Sequence, residues 1–136
     1  MSKKNNIFFK KLESFKNDTA LILENKKFVS YNELLLSSKR ISSKLDQQKK
    51  LIFLLGENNL ETIAAYIAFI NKGHTVAFLD FKINKIFFRR LVLLYKPSYI
   101  FCGKNQSVNL NLYNSILKFK TFILYKKKKK WKKYFE

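Results

Sequence analysis

Apolar and polar positions fall in blocks along this chain, and the period of the blocks changes from one to the next. Ala20 to Leu23 is a short apolar run. After the polar Glu24-Asn25-Lys26-Lys27 comes Phe28-Val29, and the two runs together read as a small β-hairpin. Ser30-Tyr31-Asn32-Glu33 has the S-x-x-E form of a capping box, in which a serine hydroxyl accepts from an orphan backbone N–H and the glutamate reaches back to the cap. A helix therefore starts at Ser30, and Leu34, Leu35, Ser38, Ile41, Ser42 and Leu45 share one of its faces. Leu51 to Leu55 is continuously apolar and ends at Gly56, as suits a strand covered on both faces of a parallel sheet. Asn58 or Asn59 caps a second helix. Along it Leu60, Ile63, Ala64, Ile67 and Ile70 recur at helical spacing, and Gly73 stands where a left-handed C-cap is needed. Thr75 to Leu79 is the next strand, closed by Asp80. A third helix from about Asn84 carries Phe87, Phe88, Leu91, Val92 and Tyr95 until Pro97 stops it, and Ser98 to Cys102 makes another strand.

Strand, helix, strand, helix, strand amounts to two consecutive crossover units. This order predicts an α/β fold: a doubly wound, mainly parallel sheet with flanking helices. Beyond Gly103 the pattern loosens, with Ile116 and Leu117 on a short helix and Thr121 to Tyr125 as one more strand. Lys126 to Lys130, Trp131, Lys132 and Lys133 then form a run of like charge that repels itself. Residues 1–125 are thus expected to form one unit and residues 126–136 a disordered, lysine-rich tail.

Composition narrows the reading in a few places. A length of 136 residues suits a single domain, and 16% aromatic residues is too many for a disordered chain. The net charge of +19 would attract any polyanion, but Lys, Phe, Ile, Asn and Tyr are all over-used, as expected of A- and T-rich codons, so much of that charge reads as drift. Weak, non-specific polyanion binding through Lys126 to Lys133 is the partner expectation this supports. The single Cys102 allows no internal disulfide. The longest apolar stretch, Ile63 to Ile70, is far short of the ~20 residues of a membrane span. Met1 to Asn6 is polar and Ile7 to Phe9 too short for a signal-peptide core, so a cytoplasmic location is expected.

Candidate chemistry is sparse. His74, the one histidine, falls at a helix-to-strand turn and reads as a solvent-facing loop residue rather than a base. Cys102 at the end of an apolar strand reads as buried and inert. Gly56, Gly73 and Gly103 are too far apart to build a phosphate-cradling loop, which excludes a P-loop or a dinucleotide fingerprint. Glu57, Glu61 and Asp80 can approach one another at the carboxyl ends of the strands, where such sheets bind ligands, although capping and solvation account for them as well.

The order of the elements and their punctuating residues resembles the start of the adenylate-forming (AMP-dependent synthetase/ligase) superfamily. Phe28-Val29-Ser30-Tyr31-Asn32-Glu33-Leu34 looks like its first core motif, L-[TS]-Y-x-E-L, and Leu51 to Gly56 resembles the strand and turn that follow. Asn59 to Gly73, with Glu61, Ala65 and Ala68, is similar to the helix read as S-x-E-x-x-x-A-x-L-A-x-L-K-A-G. Thr75 to Asp80 then matches the ending A-x-x-V-P-L-D, except that Phe78 stands where the family has proline. Lys96 to Ile100 resembles the stretch before the family's next strand. The likeness covers about Leu12 to Lys104 and makes Ser30, Tyr31, Glu33, Leu34, Glu61, Gly73 and Asp80 scaffold residues of an incomplete N-terminal subdomain.

The resemblance implies that a complete relative uses ATP and Mg2+ to adenylate a carboxylate, releasing pyrophosphate, and then passes the acyl group to a thiol or amine. The family's Ser/Thr/Gly-rich phosphate loop ending in P-K has no counterpart here. No catalytic, cofactor-binding or metal residue is therefore carried over, and the chain is expected to be inactive alone. It reads as a truncated ligase or one half of a split one, with the remainder as its partner. The adenine-rich tract implied by Lys126 to Lys130 favours slippage, which would place that remainder downstream in another frame. The rivals are a small basic module that holds nucleic acid through the lysine tail, Trp131, Tyr134 and Phe135, and a regulatory partner that docks through a sheet edge.

Overall fold

The computed structural model describes residues 11–129 and Trp131. A single 3-10 turn at Leu12–Phe15 leads into an antiparallel hairpin of β1 (Thr19–Ile22) and β2 (Phe28–Ser30). The main body follows in the order α1 (Tyr31–Ser42), β3 (Leu51–Gly56), α2 (Leu60–Asn71), β4 (Thr75–Asp80), α3 (Lys85–Tyr95), β5 (Tyr99–Gly103), β6 (Tyr113–Lys118) and β7 (Phe122–Lys127).

Local chemistry sets where the helices begin and end. At α1 both halves of the capping box form: Ser30 Oγ accepts from the Glu33 N–H at 3.1 Å, and the Glu33 carboxylate accepts from the Ser30 N–H at 3.3 Å. Asn59 caps α2 by accepting from the Thr62 N–H, and Asn84 caps α3 by accepting from the N–H groups of Ile86 and Phe87. After α2 the chain turns at Gly73, whose φ of +81° is the left-handed conformation expected of it. Lys96 ends α3 in the same region, immediately before Pro97.

The five-stranded sheet has the order β4-β3-β5-β7-β6. β3 pairs in parallel with both β4 and β5, in unbroken register with β4 from Leu51↔Thr75 to Gly56↔Asp80. Ile52 and Leu54 point into one core with Leu34, Ile41, Ala64, Ala68 and Phe69 of α1 and α2. Phe53 and Leu55 point into the other, with Phe88 and Val92 of α3. Helices thus cover both faces, and the expected burial of β3 on both sides follows: Ile52 to Leu55 are at most 3% exposed.

The sheet is mixed rather than mainly parallel. β7 runs antiparallel to β5, and β6 antiparallel to β7. β5 and β6 nonetheless run in the same direction: the 104–112 segment, which forms no helix, carries the chain back to the amino end of β5, and the reversal is the tight β6–β7 turn that sets β7 between them. Ile116 and Leu117, expected on a short helix, belong to β6, whose partner β7 is supplied after a tight turn closed by the Phe119 N–H and Phe122 C=O.

The start of the expected tail is also ordered structure. Lys126 and Lys127 are ladder residues of β7, and the Lys128 N–H donates to Leu112 C=O. Trp131 is 8% exposed, donates its indole N–H to Leu112 C=O at 3.1 Å and meets the Tyr113 ring edge-on at 5.6 Å. Alternate lysines can flank a strand because their stems pack while their ammonium groups reach water or a partner. Lys130 and residues 132–136 of that expected tail lie outside the described residues. On α3, Phe88 and Val92 are buried as expected, but Phe87 and Tyr95 are 54% and 58% exposed.

Candidate functional site

Ligands of open α/β sheets bind outside the carboxyl ends of the strands. Here the carboxyl ends of β3 and β4, the first turn of α2 and the 23–27 turn of the hairpin surround an open crevice of about 940 Å³. Glu57, Glu61 and Asp80 all line it, as the sequence anticipated, together with Asn58, Asn59 and Lys82. They share the crevice without converging on one point. Among the described residues no three metal-ligating side chains come close enough to hold an ion.

Local roles are evident for two of the three. Asp80 Oδ1 accepts from the Lys82 N–H at 2.9 Å and so shapes the turn into α3. Glu61 lies in the first turn of α2, where a carboxylate complements the helix dipole. The Glu57 N–H donates to Thr62 Oγ1 at 3.1 Å, which ties the end of β3 to α2.

The switch between β3 and β5, where a doubly wound sheet usually opens a cleft, is filled by aromatic rings. A Cβ placed on Gly103 would lie 2.8 Å from the Phe81 ring, which also packs 5.9 Å from Phe122. A Cβ placed on Gly56 would collide with the Thr62 methyl and lie 2.7 Å from the Phe78 ring. Phe78, at the family's proline position, thus lies against Gly56 and toward Tyr66, with centroids 6.4 Å apart. Four carboxylates, Glu24, Glu57, Glu61 and Asp80, line the crevice against two lysines, Lys27 and Lys82, a balance of charge that does not favour a triphosphate.

The scaffold residues of the resemblance occupy structural positions. Ser30 and Glu33 form the capping box, and Leu34 is buried beneath it. Tyr31 opens α1 and its ring lies 6.1 Å from Phe15. Gly73 makes the turn from α2 to β4, and Asp80 ends β4 opposite Gly56.

At the opposite end of the sheet is a polar cluster that the sequence reading missed. His74 is 4% exposed rather than solvent-facing, because its Nδ1 accepts from the Lys50 N–H at 3.0 Å and pins the entries of β3 and β4 together. Its Nε2 is buried without a partner in hydrogen-bonding geometry among the described residues. Burial pushes the imidazole below the usual histidine range, while the neighbouring Asp46 opposes part of that fall. Tyr99 Oη accepts from the Asp46 N–H at 2.9 Å, and the Lys126 ammonium lies 3.2 Å from the Asp46 carboxylate. Burial would raise that carboxylate, but the hydrogen bonds from Lys126 and Tyr99 outweigh it and hold it below the ordinary range. Nothing near His74 in the sequence announces these partners. Cys102 is buried as expected, and burial pushes its thiol up to about 12, which leaves it unreactive.

No helix among the described residues is long and apolar enough to cross a membrane. No family model matches this chain, and no curated protein does. Among solved structures, the crystal structure of CmiS6 is similar in fold, with a TM-score of 0.64 at 15% identity over 83% of this chain. The match takes in 30% of the CmiS6 chain, so this protein spans less than a third of that neighbour's length.

Proposed function

We propose that this chain supplies the opening framework of an adenylate-forming ligase and does not carry out the family's reaction alone. The observation that carries this reading is the conjunction of motif and register. The S-Y-x-E-L-like capping box, the Glu61 helix, the Gly73 turn and the strand ending at Asp80 occur in family order. They lie on adjoining elements of one packed unit. A fold shared with part of a much longer chain, of which the match takes in 30%, supports the idea of a framework that others complete. The remainder of a split ligase is the corresponding partner, and ATP and Mg2+ would bind there.

The reading is tested by ATP–pyrophosphate exchange. The purified chain should support none with any carboxylate, because it lacks the donors that hold a triphosphate and its developing charge. Exchange that persists after contaminating ligases are removed would contradict it.

The net charge of +19 favours one other reading, a polyanion-binding module. Trp131 is buried against Tyr113 and so is poorly placed for stacking on a base, while Tyr134 and Phe135 lie outside the described residues. Binding would then rest on lysine charge, be indifferent to sequence and weaken steeply with salt as counterions are released. Tight, sequence-selective binding at physiological salt would put this reading first.

A further inference from the structure

On the α3 face of the sheet, away from the carboxyl-end crevice, a cavity of about 370 Å³ lies between α3, β5 and the 104–112 segment. Phe88, Val92, Ile100, Leu112 and Tyr113 line it and are all buried. The Tyr113 hydroxyl is already used, donating to Pro97 C=O at 2.7 Å. The interior is therefore apolar and partly aromatic. Apolar cavities stay dry and take apolar guests, and one of ~150 Å³ accepts benzene. This one has room for a ring with a short chain, at the small end of the ~300–1,000 Å³ common for ligand pockets.

The remaining lining residues give the cavity a polarity. Arg89, Ser107 and Asn109 also line it, are exposed, and include a cation but no carboxylate. Arg89 has no salt-bridge partner among the described residues. The Asn109 carbonyl oxygen is occupied by the Asn111 N–H, which leaves its amide as a donor. An unpaired guanidinium beside donor groups at the edge of an apolar cavity selects an anion with two acceptor oxygens.

We propose that this cavity binds a small amphipathic carboxylate, with its apolar, preferably aromatic body against Phe88 and Tyr113 and its carboxylate on Arg89. The inference does not depend on the ligase reading and would survive its failure.

Trp131 is the only tryptophan, and its contacts include the Leu112 carbonyl and the Tyr113 ring, both from residues that line the cavity. Its fluorescence therefore serves as a reporter, with calorimetry as an independent readout. The full chain would be titrated with 3-phenylpropanoate and with the neutral 3-phenylpropanamide. Saturable binding of the acid is expected, with the amide about tenfold weaker, the usual scale of a hydrogen bond to a charged group. Arg89→Gln, at an exposed position, should bring the acid down to the amide's affinity and leave the amide unchanged. Val92→Phe should fill the cavity and remove both, and Val108→Phe at the half-buried loop serves if that variant does not fold. No saturable binding by either readout, equal affinity for acid and amide, or an Arg89→Gln protein that still prefers the acid would each overturn the proposal.

Discussion

Gly56 and Gly73 are both needed, for different physical reasons, and substitution should separate them. At Gly73 nothing lies within 4 Å of an added Cβ, so Gly73→Ala suffers only the left-handed backbone at φ +81°. That costs about 1 kcal/mol. At Gly56 an added methyl meets the Thr62 side chain and the Phe78 ring, so denaturant unfolding should show Gly56→Ala as the larger loss. Equal losses would mean that Phe78 simply swings away. His74 makes a different prediction. Burial holds its pKa below the ordinary 6.5, so the unfolded chain binds the proton more readily than the folded one. Its contribution is therefore complete above about pH 6.5 and is lost as pH falls toward the lowered native value. The denaturation midpoint should drop between pH 7 and 5, and His74→Asn, whose carbonyl can replace Nδ1 as acceptor, should flatten that slope. An unchanged slope in the variant would assign the effect elsewhere. The sequence placed His74 correctly at a turn but could not show its burial. Its hydrogen-bond donor, Lys50, is 24 residues away and meets it only once β3 and β4 are paired.

Elements whose signals are local were legible, and those that depend on distant partners were not. The start of α1 was written in four consecutive residues, and both reciprocal bonds of the box form. Removing the hydroxyl with Ser30→Ala should cost about 1 kcal/mol in thermal or denaturant unfolding, with no change in helix content. β6 was misread because Ile116-Leu117 is too short a run to separate helix from strand, and pairing with β7 decided the matter. The basic run misled in the same way. Like charge alone predicts a solvated tail, but Lys126 finds Asp46, and Trp131 closes the far core beside Tyr113. Trp131→Ala should therefore cost roughly 3 kcal/mol, the lower end for a buried Trp or Phe truncation, and native Trp emission should be blue-shifted. Red, fully solvated emission from the native protein would restore the disordered tail.

For the whole molecule, the crossover pattern revealed helices on both faces but not the reversed β7 between β5 and β6, since the 104–112 segment carries no periodic signal of its own and β6 was not recognised as a strand. The crevice carboxylates were foreseen, whereas the rings that fill the cleft beside them were not. Among the described residues, the assembled unit leaves Ile86, Phe87, Leu94 and Tyr95 of α3 more than half exposed, and β4 and β6 at the edges of the sheet. Apolar surface and unpaired strand edges together promote association, so sedimentation of the isolated chain should show concentration-dependent self-association. A monodisperse monomer at all concentrations would favour an independent small domain over a framework awaiting its remainder. The central claim is tested most directly by ATP–pyrophosphate exchange on the purified chain, offered a range of carboxylates. The framework account predicts no exchange above background, and exchange that co-purifies with the chain once contaminating ligases are removed would contradict it.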